Sequence, residues 1–357
     1  MRDRIRVVVL GTGQMGSGIA RQILRTPGLE LAGAVARRAA RGGLDLGRAI
    51  DLGRDLGLAV DADLEVAIAR ARPDVAIQAT CSRVADAREE ITALLRRGIH
   101  VVSIAEEMAW PAARAPAVAR ELHALAVAHG AAVLGTGVNP GFVLDLLVVV
   151  LSGVCADVRT ITATRVNDLA PYGPTVLREQ GVGLTPEAFR TGLADGSVVG
   201  HHGFAESIHM IAAALGWTID RIEESREPIV ARIRRETPLV RVEPGEVAGC
   251  LHTAVAWRAG SPAVTLVHPQ QVQPHVEGVE TGDTIEIAAT PDVRVTARPE
   301  IPGGLATIAL AVNAIPRVLA APPGLHCMAD LPPLAAIGAD VRHLVEAARL
   351  RTEHRRG

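Results

Sequence analysis

The most consequential absence in this 357-residue chain is lysine: all 37 basic residues are arginine. That excludes a Schiff-base lysine for pyridoxal phosphate, a P-loop phosphate lysine, and any lysine acting as acid or base. Aromatic residues make up only 2%, and there is a single tyrosine, Tyr172. A tyrosine–lysine dehydrogenase pair is therefore impossible, and proton transfer falls to carboxylates or histidines. The four cysteines, at 81, 155, 250 and 327, have neither zinc-site nor redox-motif spacing, and no disulfide framework or metal site is expected. Neither sign of charge dominates, with 37 basic residues against 39 acidic and a net charge of −2. Such a balance leaves no footprint for nucleic acid or anionic lipid. The longest apolar run, Phe142 to Leu151, is interrupted by Asp145 and is too short to span a bilayer. The opening Met-Arg-Asp-Arg-Ile-Arg runs straight into a strand-like stretch, so no secretory leader and a cytoplasmic protein are expected.

What is present is a repeating alternation. Residues 5–10, 29–36, 74–79, 99–104 and 131–135 are short, largely apolar runs that read as buried parallel strands. Helical segments fall between them at 15–26, 85–97 and 116–129, and residues 44–71 are helical in composition with strand-like breaks. Beyond about residue 150 the pattern changes to short alternating strands at 158–167, 252–259, 263–268, 283–289 and 293–299, with helices at 186–195 and 204–215. A helix over 303–319 follows. The fold class expected is α/β: an N-terminal Rossmann-like parallel sheet, plus an α+β domain with an open, mostly antiparallel sheet. The expected domains are 1–145, 146–302 and a C-terminal helical segment, 303–357.

Gly11-Thr12-Gly13-Gln14-Met15-Gly16 closes the first strand and opens the first helix. Its glycines allow a tight turn, close approach of a pyrophosphate and close helix–sheet packing, while the helix start offers amide N–H groups. The second strand ends at Ala36, where an NAD-specific site usually has an acid, and Arg37 and Arg38 follow. Two arginines suit an adenosine 2′-phosphate, so NADP is expected to be preferred over NAD; a solvated basic loop is the alternative. Thr80 and Cys81 end the third strand, and Ser103 and Ala105 the fourth, where a dinucleotide crosses such a sheet.

Glu106-Glu107 directly follows the fourth strand. Strand carboxyl ends form the ligand crevice, which makes the pair candidates for acid–base work, although both could serve only as helix N-terminal charges. Gly135-Thr-Gly-Val-Asn139-Pro140-Gly141-Phe142 leads out of the first domain. It reads as a structural turn or as part of the site, with Asn139 toward cofactor and Pro140 and Phe142 toward substrate. Arg165-Val-Asn167-Asp168 ends a strand, and Gly200-His201-His202-Gly203 precedes a helix. An arginine and a histidine brought together would hold a substrate anion.

Together, Gly11–Gly16, Ile104-Ala-Glu-Glu-Met-Ala-Trp-Pro111, Val138-Asn-Pro-Gly-Phe142, Arg165-Val-Asn-Asp168, Gly200-His-His-Gly-Phe-Ala-Glu-Ser207 and Thr307-Ile-Ala-Leu-Ala-Val-Asn-Ala-Ile-Pro316 resemble the 2,4-diaminopentanoate dehydrogenase family. That family includes the native amine dehydrogenases and has a dihydrodipicolinate-reductase-like fold, which implies that residues 1–145 bind the dinucleotide, 146–302 bind substrate and mediate dimerisation, and the C-terminal helices of 303–357 return to the first domain. The resemblance implies reversible oxidative deamination: amine, NAD(P)⁺ and water giving ketone, ammonium and NAD(P)H, in a homodimer. It implies that the acidic pair supplies the catalytic glutamate, Glu107 or else Glu106. It also implies that Arg165, Asn167, Tyr172, His201, His268 and Thr307 line the substrate pocket. Two other readings stand beside it: a reductase of another oxo or imino acid, and a nucleotide-sensing protein without turnover.

Overall fold

The computed structural model describes residues 3–37 and 41–354. They form two compact units, one of them the chain up to Phe142 together with the segment from Pro302, the other Val143–Ile301.

Unit 1 starts with β1 (Ile5–Leu10), buried almost throughout, as a strand covered on both faces must be. It continues through α1 (Gln14–Arg25), β2 (Leu29–Val35), α2 (Leu46–Ala49), α3 (Leu64–Ala71), β3 (Val75–Gln78), α4 (Val84–Leu95), β4 (His100–Ser103), α5 (Pro116–Ala128) and β5 (Ala132–Gly135). Helix starts follow local chemistry. The Asp63 carboxylate accepts from the amides of Glu65 and Val66 to open α3, and Pro116 opens α5 at a position where its missing N–H costs nothing. Only parts of 44–71 are helical. The Asp45 carboxylate accepts from the amides of Gly47, Leu56 and Gly57, drawing the intervening residues into a loop instead.

Unit 2 holds α6 (Leu146–Ser152), β6 (Ala156–Asp168), α7 (Pro174–Glu179), α8 (Pro186–Asp195), α9 (Phe204–Leu215) and β7 (Arg221–Val230). These are followed by the two-residue strands β8 (Arg235–Glu236) and β9 (Arg241–Val242), then β10 (Val247–Arg258), β11 (Ser261–Gln271), β12 (Gly282–Thr290) and β13 (Val293–Ala297). Its main sheet has the order β13-β12-β6-β11-β10-β7 and is antiparallel except where β6 meets β11. The sequence does not announce β7. Arg-Ile-Glu-Glu-Ser-Arg-Glu-Pro-Ile-Val is charge-rich and contains a proline, a composition tolerated because β7 is an edge strand.

The C-terminal segment contains α10 (Gly303–Asn313), α11 (Ile315–Val318), β14 (Gly324–His326) and α12 (Val341–His354). The single helix expected over 303–319 is interrupted at Ala314, where Pro316 cannot supply the amide that would continue the ladder. α10 packs against α1, and β14 pairs in parallel with β5. The parallel sheet thus runs β14-β5-β4-β3-β1-β2, a sixth strand beyond the five legible in the sequence. Among the described residues, no helix is long and apolar enough to cross a membrane.

Candidate functional site

The glycine turn sits where β1 passes into α1. Gly11 has φ +104°, and a Cβ there would lie 2.5 Å from the Ala79 carbonyl oxygen. A Cβ on Gly16 would lie 1.9 Å from the Gly11 carbonyl oxygen, so both positions exclude a side chain. Gly13, by contrast, faces open space: no atom lies within 4 Å of where its Cβ would be. α1 has no side-chain cap and no acid in its first turn. A helix start of this kind suits an anion. A cleft of about 180 Å³ lies over this turn, lined by Gly11, Thr12, Gly13, Ala36, Arg37, Arg41, Ala79 and Thr80. Gln14 and Met15 start the helix. A bare amide cradle with a vacant Cβ position fits a pyrophosphate.

The rim of this cleft is a polar network. Ser103 Oγ donates to Gln78 Oε1 at 2.5 Å, Gln78 Nε2 donates to Thr80 Oγ1 at 2.7 Å, and Thr80 Oγ1 donates to Glu90 Oε2 at 2.6 Å. Arg37 Nε donates to Glu90 Oε1 at 2.8 Å. The Ser103 hydroxyl is thus buried in the network and also accepts from the Ala105 amide, and Ala105 itself is fully buried. Cys81 lies against Gln78 Nε2 at 3.1 Å; burial pushes its thiol above the ordinary range. Ala36 is buried, its amide held by the Asp61 carbonyl. Arg38 lies outside the described residues. The sequence offers Arg37 either to a 2′-phosphate or to solvent; in the structure a carboxylate of α4 already holds it. Gln78, Glu90 and Arg41 were not singled out, since their roles depend on strands and helices meeting in space.

Glu106 and Glu107 open a short 3₁₀ turn, Glu106–Ala109, and both are half-buried. Glu107 Oε2 accepts from the Val84 amide at 2.9 Å, at the start of α4, which fixes the carboxylate by one oxygen. The expected helix-terminus role thus exists, but toward a neighbouring helix. In the turn after β5, both side-chain polar atoms of Asn139 are buried without a hydrogen-bond partner among the described residues. A buried amide left in that state costs roughly 1–3 kcal/mol per group, so the position suits a ligand's own donor and acceptor. Pro140 is buried and Phe142 half-buried in the same turn. Thr307 Oγ1, on α10, accepts from the Val138 amide at 3.1 Å and anchors that turn.

In unit 2, Arg165, Asn167, Tyr172, His201 and His268 come together. Arg165 is 2% exposed. Its Nη1 donates to Asp283 Oδ1 at 2.5 Å and its Nη2 to the Ile301 carbonyl at 2.6 Å. The sequence offers this guanidinium to a substrate anion; in the structure it already has a carboxylate partner, because β12 brings Asp283 opposite Arg165 in register. Tyr172 hydrogen-bonds with Asn167 and Arg165, and burial raises its hydroxyl pKa. His268 Nδ1 lies 2.6 Å from the Arg165 carbonyl oxygen, which can only accept. The neutral ring therefore carries its proton on Nδ1 and presents Nε2 as an acceptor. The His201 ring meets those of His268 and Phe204, each with centroids 4.9 Å apart. His201 Nε2 is buried without a hydrogen-bond partner among the described residues. Burial holds His201 and His268 well below the usual imidazole range, reinforced for His201 by His268 and for His268 by Arg165. His201 does not cap α9, which starts at Gly203 without a side-chain cap.

Behind this cluster, His252 Nδ1 accepts from the His201 amide at 3.0 Å while its Nε2 faces Glu224 Oε2 at 3.2 Å. This assigns the His252 proton to Nε2 and pins the 200–203 loop. Neither residue stood out in the sequence, lying on strands with no motif. Among the described residues no three histidine, cysteine or acidic side chains converge as a metal site.

The chain matches two family models: 2,4-diaminopentanoate dehydrogenase C-terminal domain over residues 142–347, and dihydrodipicolinate reductase N-terminus over residues 5–104. It is 40% identical over 344 residues to the 2,4-diaminopentanoate dehydrogenase of Acetoanaerobium sticklandii, covering 96% of this chain and 98% of the relative. With an amine dehydrogenase of Streptomyces virginiae it shares 27% identity over 94% of this chain and 98% of that one. Among solved structures, an amine dehydrogenase from Mycobacterium smegmatis superimposes with a TM-score of 0.83 at 28% identity, covering 93% of this chain and 97% of that chain.

Proposed function

The chain belongs to the 2,4-diaminopentanoate dehydrogenase family, oxidoreductases acting on CH–NH₂ donors, and from that premise we propose that it catalyses NAD(P)-dependent, reversible oxidative deamination of an amine-bearing acid. A diamino acid such as 2,4-diaminopentanoate, or a related small amine, is the substrate class, with ammonia and a ketone as products. The observation that carries the reading is the bare glycine cradle of unit 1 in a chain whose proton chemistry is restricted to carboxylates and histidines. A dinucleotide held over Gly11, Thr12 and Gly13 would supply the hydride acceptor for the amine-bearing carbon.

The protein's own part is proton transfer and positioning. Glu107, held by one oxygen against the Val84 amide, takes a proton from the water that attacks the iminium carbon. In the reverse direction the protonated carboxyl donates to the departing hydroxyl of the carbinolamine. Glu106 is the alternative if its neighbour proves dispensable. Arg165 still has N–H groups beyond those given to Asp283 and Ile301, and these can meet a substrate carboxylate. Asn167, Tyr172, His201 and His268 of unit 2 are assigned to substrate, as are Pro140, Phe142 and Thr307 of unit 1, and Asn139 to the cofactor. NADP is preferred over NAD because no acid stands at the end of β2.

The enzyme works as a homodimer in the cytoplasm. Four unpaired cysteines suit a reducing compartment. One face of the unit 2 sheet carries the neighbouring residues Thr162, Thr164, Thr253, Val255, Thr265 and Val267, all only half-buried. That β-branched face suits a second copy. The test is a screen of small oxo acids and ketones against NADPH and NADH at 340 nm, with and without ammonium. Ammonium-dependent oxidation is expected. Equal rates without ammonium would convert the assignment to a ketone reductase, and nucleotide binding without turnover to a sensor.

A further inference from the structure

The nucleotide cleft holds two described arginines, and their surroundings differ. Arg37 is turned onto α4: Nε meets Glu90 Oε1 at 2.8 Å and Nη2 donates to the Asp86 carbonyl at 2.9 Å. Glu90 is itself fixed at both oxygens, the second taking the Thr80 hydroxyl at 2.6 Å, and its side chain is 14% exposed. The charge of Arg37 is therefore already compensated. Arg41 is held only by neutral groups. Its Nη1 donates to the Thr12 carbonyl at 2.5 Å and to the Ala49 carbonyl at 2.8 Å. It has no ion pair among the described residues, yet it lines the cleft beside Thr12 and Gly13.

Resting on the dinucleotide reading above, we propose that Arg41 is the cation that binds the adenosine 2′-phosphate, and that Glu90 withholds Arg37 from that role. Arg41 is fixed by two carbonyls without being neutralised, so it offers an oriented, uncompensated charge. Arg37 contributes only when the Glu90 carboxylate is removed. Glu90 is thus a positioning residue whose charge sets how strongly the cleft separates NADP from NAD.

The test is calorimetric titration of the full-length protein with NADP⁺ and NAD⁺. Arg41→Met should weaken NADP⁺ roughly 10- to 100-fold, the range of a charged hydrogen bond, while changing NAD⁺ less than about threefold. Arg41→Lys keeps the charge, guards against a folding defect and should recover most of the loss. Arg37→Met should move either nucleotide less than about threefold. Glu90→Gln should tighten NADP⁺ several-fold and leave NAD⁺ unchanged. A larger NADP⁺ loss from Arg37→Met or Arg38→Met than from Arg41→Met would overturn the proposal, as would an equal loss of both nucleotides in Arg41→Met. A wild-type protein that binds neither nucleotide would instead refute the dinucleotide reading on which it rests.

Discussion

Unit 1 and unit 2 prepare for a polar ligand in opposite ways. The glycine turn of unit 1 relies on what is missing: no side chain at Gly13, no cap on α1, no acid in its first turn. The cluster of unit 2 relies on side chains that are buried and already engaged, with Arg165 against Asp283, His268 against a main-chain carbonyl, and His252 between the His201 amide and Glu224. A cradle built on a helix start costs little to keep empty, because main-chain amides at a cleft can be met by water. A buried guanidinium cannot wait unpaired, so the fold supplies a permanent partner, and any ligand must use the donors left over. The first kind of site is contiguous in sequence, whereas the second is assembled from residues between 165 and 283.

The largest effect should come from Glu107, the proposed proton-transfer group. Glu107→Gln retains an oxygen to accept from the Val84 amide but cannot titrate, so kcat should fall about 10²–10⁴-fold with nucleotide affinity and thermal midpoint nearly unchanged. Steady-state kinetics beside Glu106→Gln checks the assignment, since an active Glu107→Gln enzyme would transfer the role to its neighbour.

Next in size is the buried ion pair. Arg165→Met leaves the Asp283 carboxylate buried at 4% exposure without its cation, and urea unfolding should show a loss of about 3–5 kcal/mol. Asp283 already has a raised pKa because burial outweighs the attraction of Arg165. Replacing both, Arg165→Met with Asp283→Leu, should restore most of the stability. That double variant also isolates recognition: its ratio of kcat/KM for an oxo acid to that for a plain ketone should fall roughly ten- to a hundredfold. An unchanged ratio in a folded double variant would separate Arg165 from the substrate carboxylate.

The glycine cradle gives a sharper contrast between fold and binding. Gly13→Ala puts a methyl into open space, so unfolding should be nearly unaffected while nucleotide affinity drops about tenfold or more. A variant that binds nucleotide normally would show that the turn is structural only.

The smallest effect is a pH dependence in unit 2. His201 and His268 are held neutral by burial, whereas in the unfolded chain they protonate near the usual pKa of about 6.5. Their stabilising contribution is complete above that pH and is lost as pH falls below it, by up to about 1.4 kcal/mol per pH unit for each ring. Chemical denaturation at pH 7.5 and 5.5 should show this slope, and His201→Asn should reduce it. A flat profile would mean that neither ring is held neutral by burial.

The same contrast explains what could be read in advance. β1 to β5 and the glycine turn were legible because each is a contiguous apolar run or a fixed local motif. β14 was not: three residues, Gly324 to His326, carry no periodicity and become a strand only because β5 offers an edge. Glu106 and Glu107 were placed at a strand end by local pattern, but the Val84 contact depends on α4 packing nearby. Arg37 looked like a free cation because Glu90, fifty-three residues away, leaves no mark on the local sequence. Arg165 was recognised, yet Asp283, 118 residues distant, was not, because only the β6–β12 register joins them.

The central claim is that hydride leaves the cofactor for a carbon that ends as the bearer of an amine. It is tested most directly by incubating the enzyme with NADPH deuterated at nicotinamide C4, a small oxo acid and ammonium, then identifying the product by mass spectrometry and NMR. The account predicts one deuterium on the carbon carrying the new amino group. Deuterium on a carbinol carbon, with no amine formed in the presence of ammonium, would contradict it.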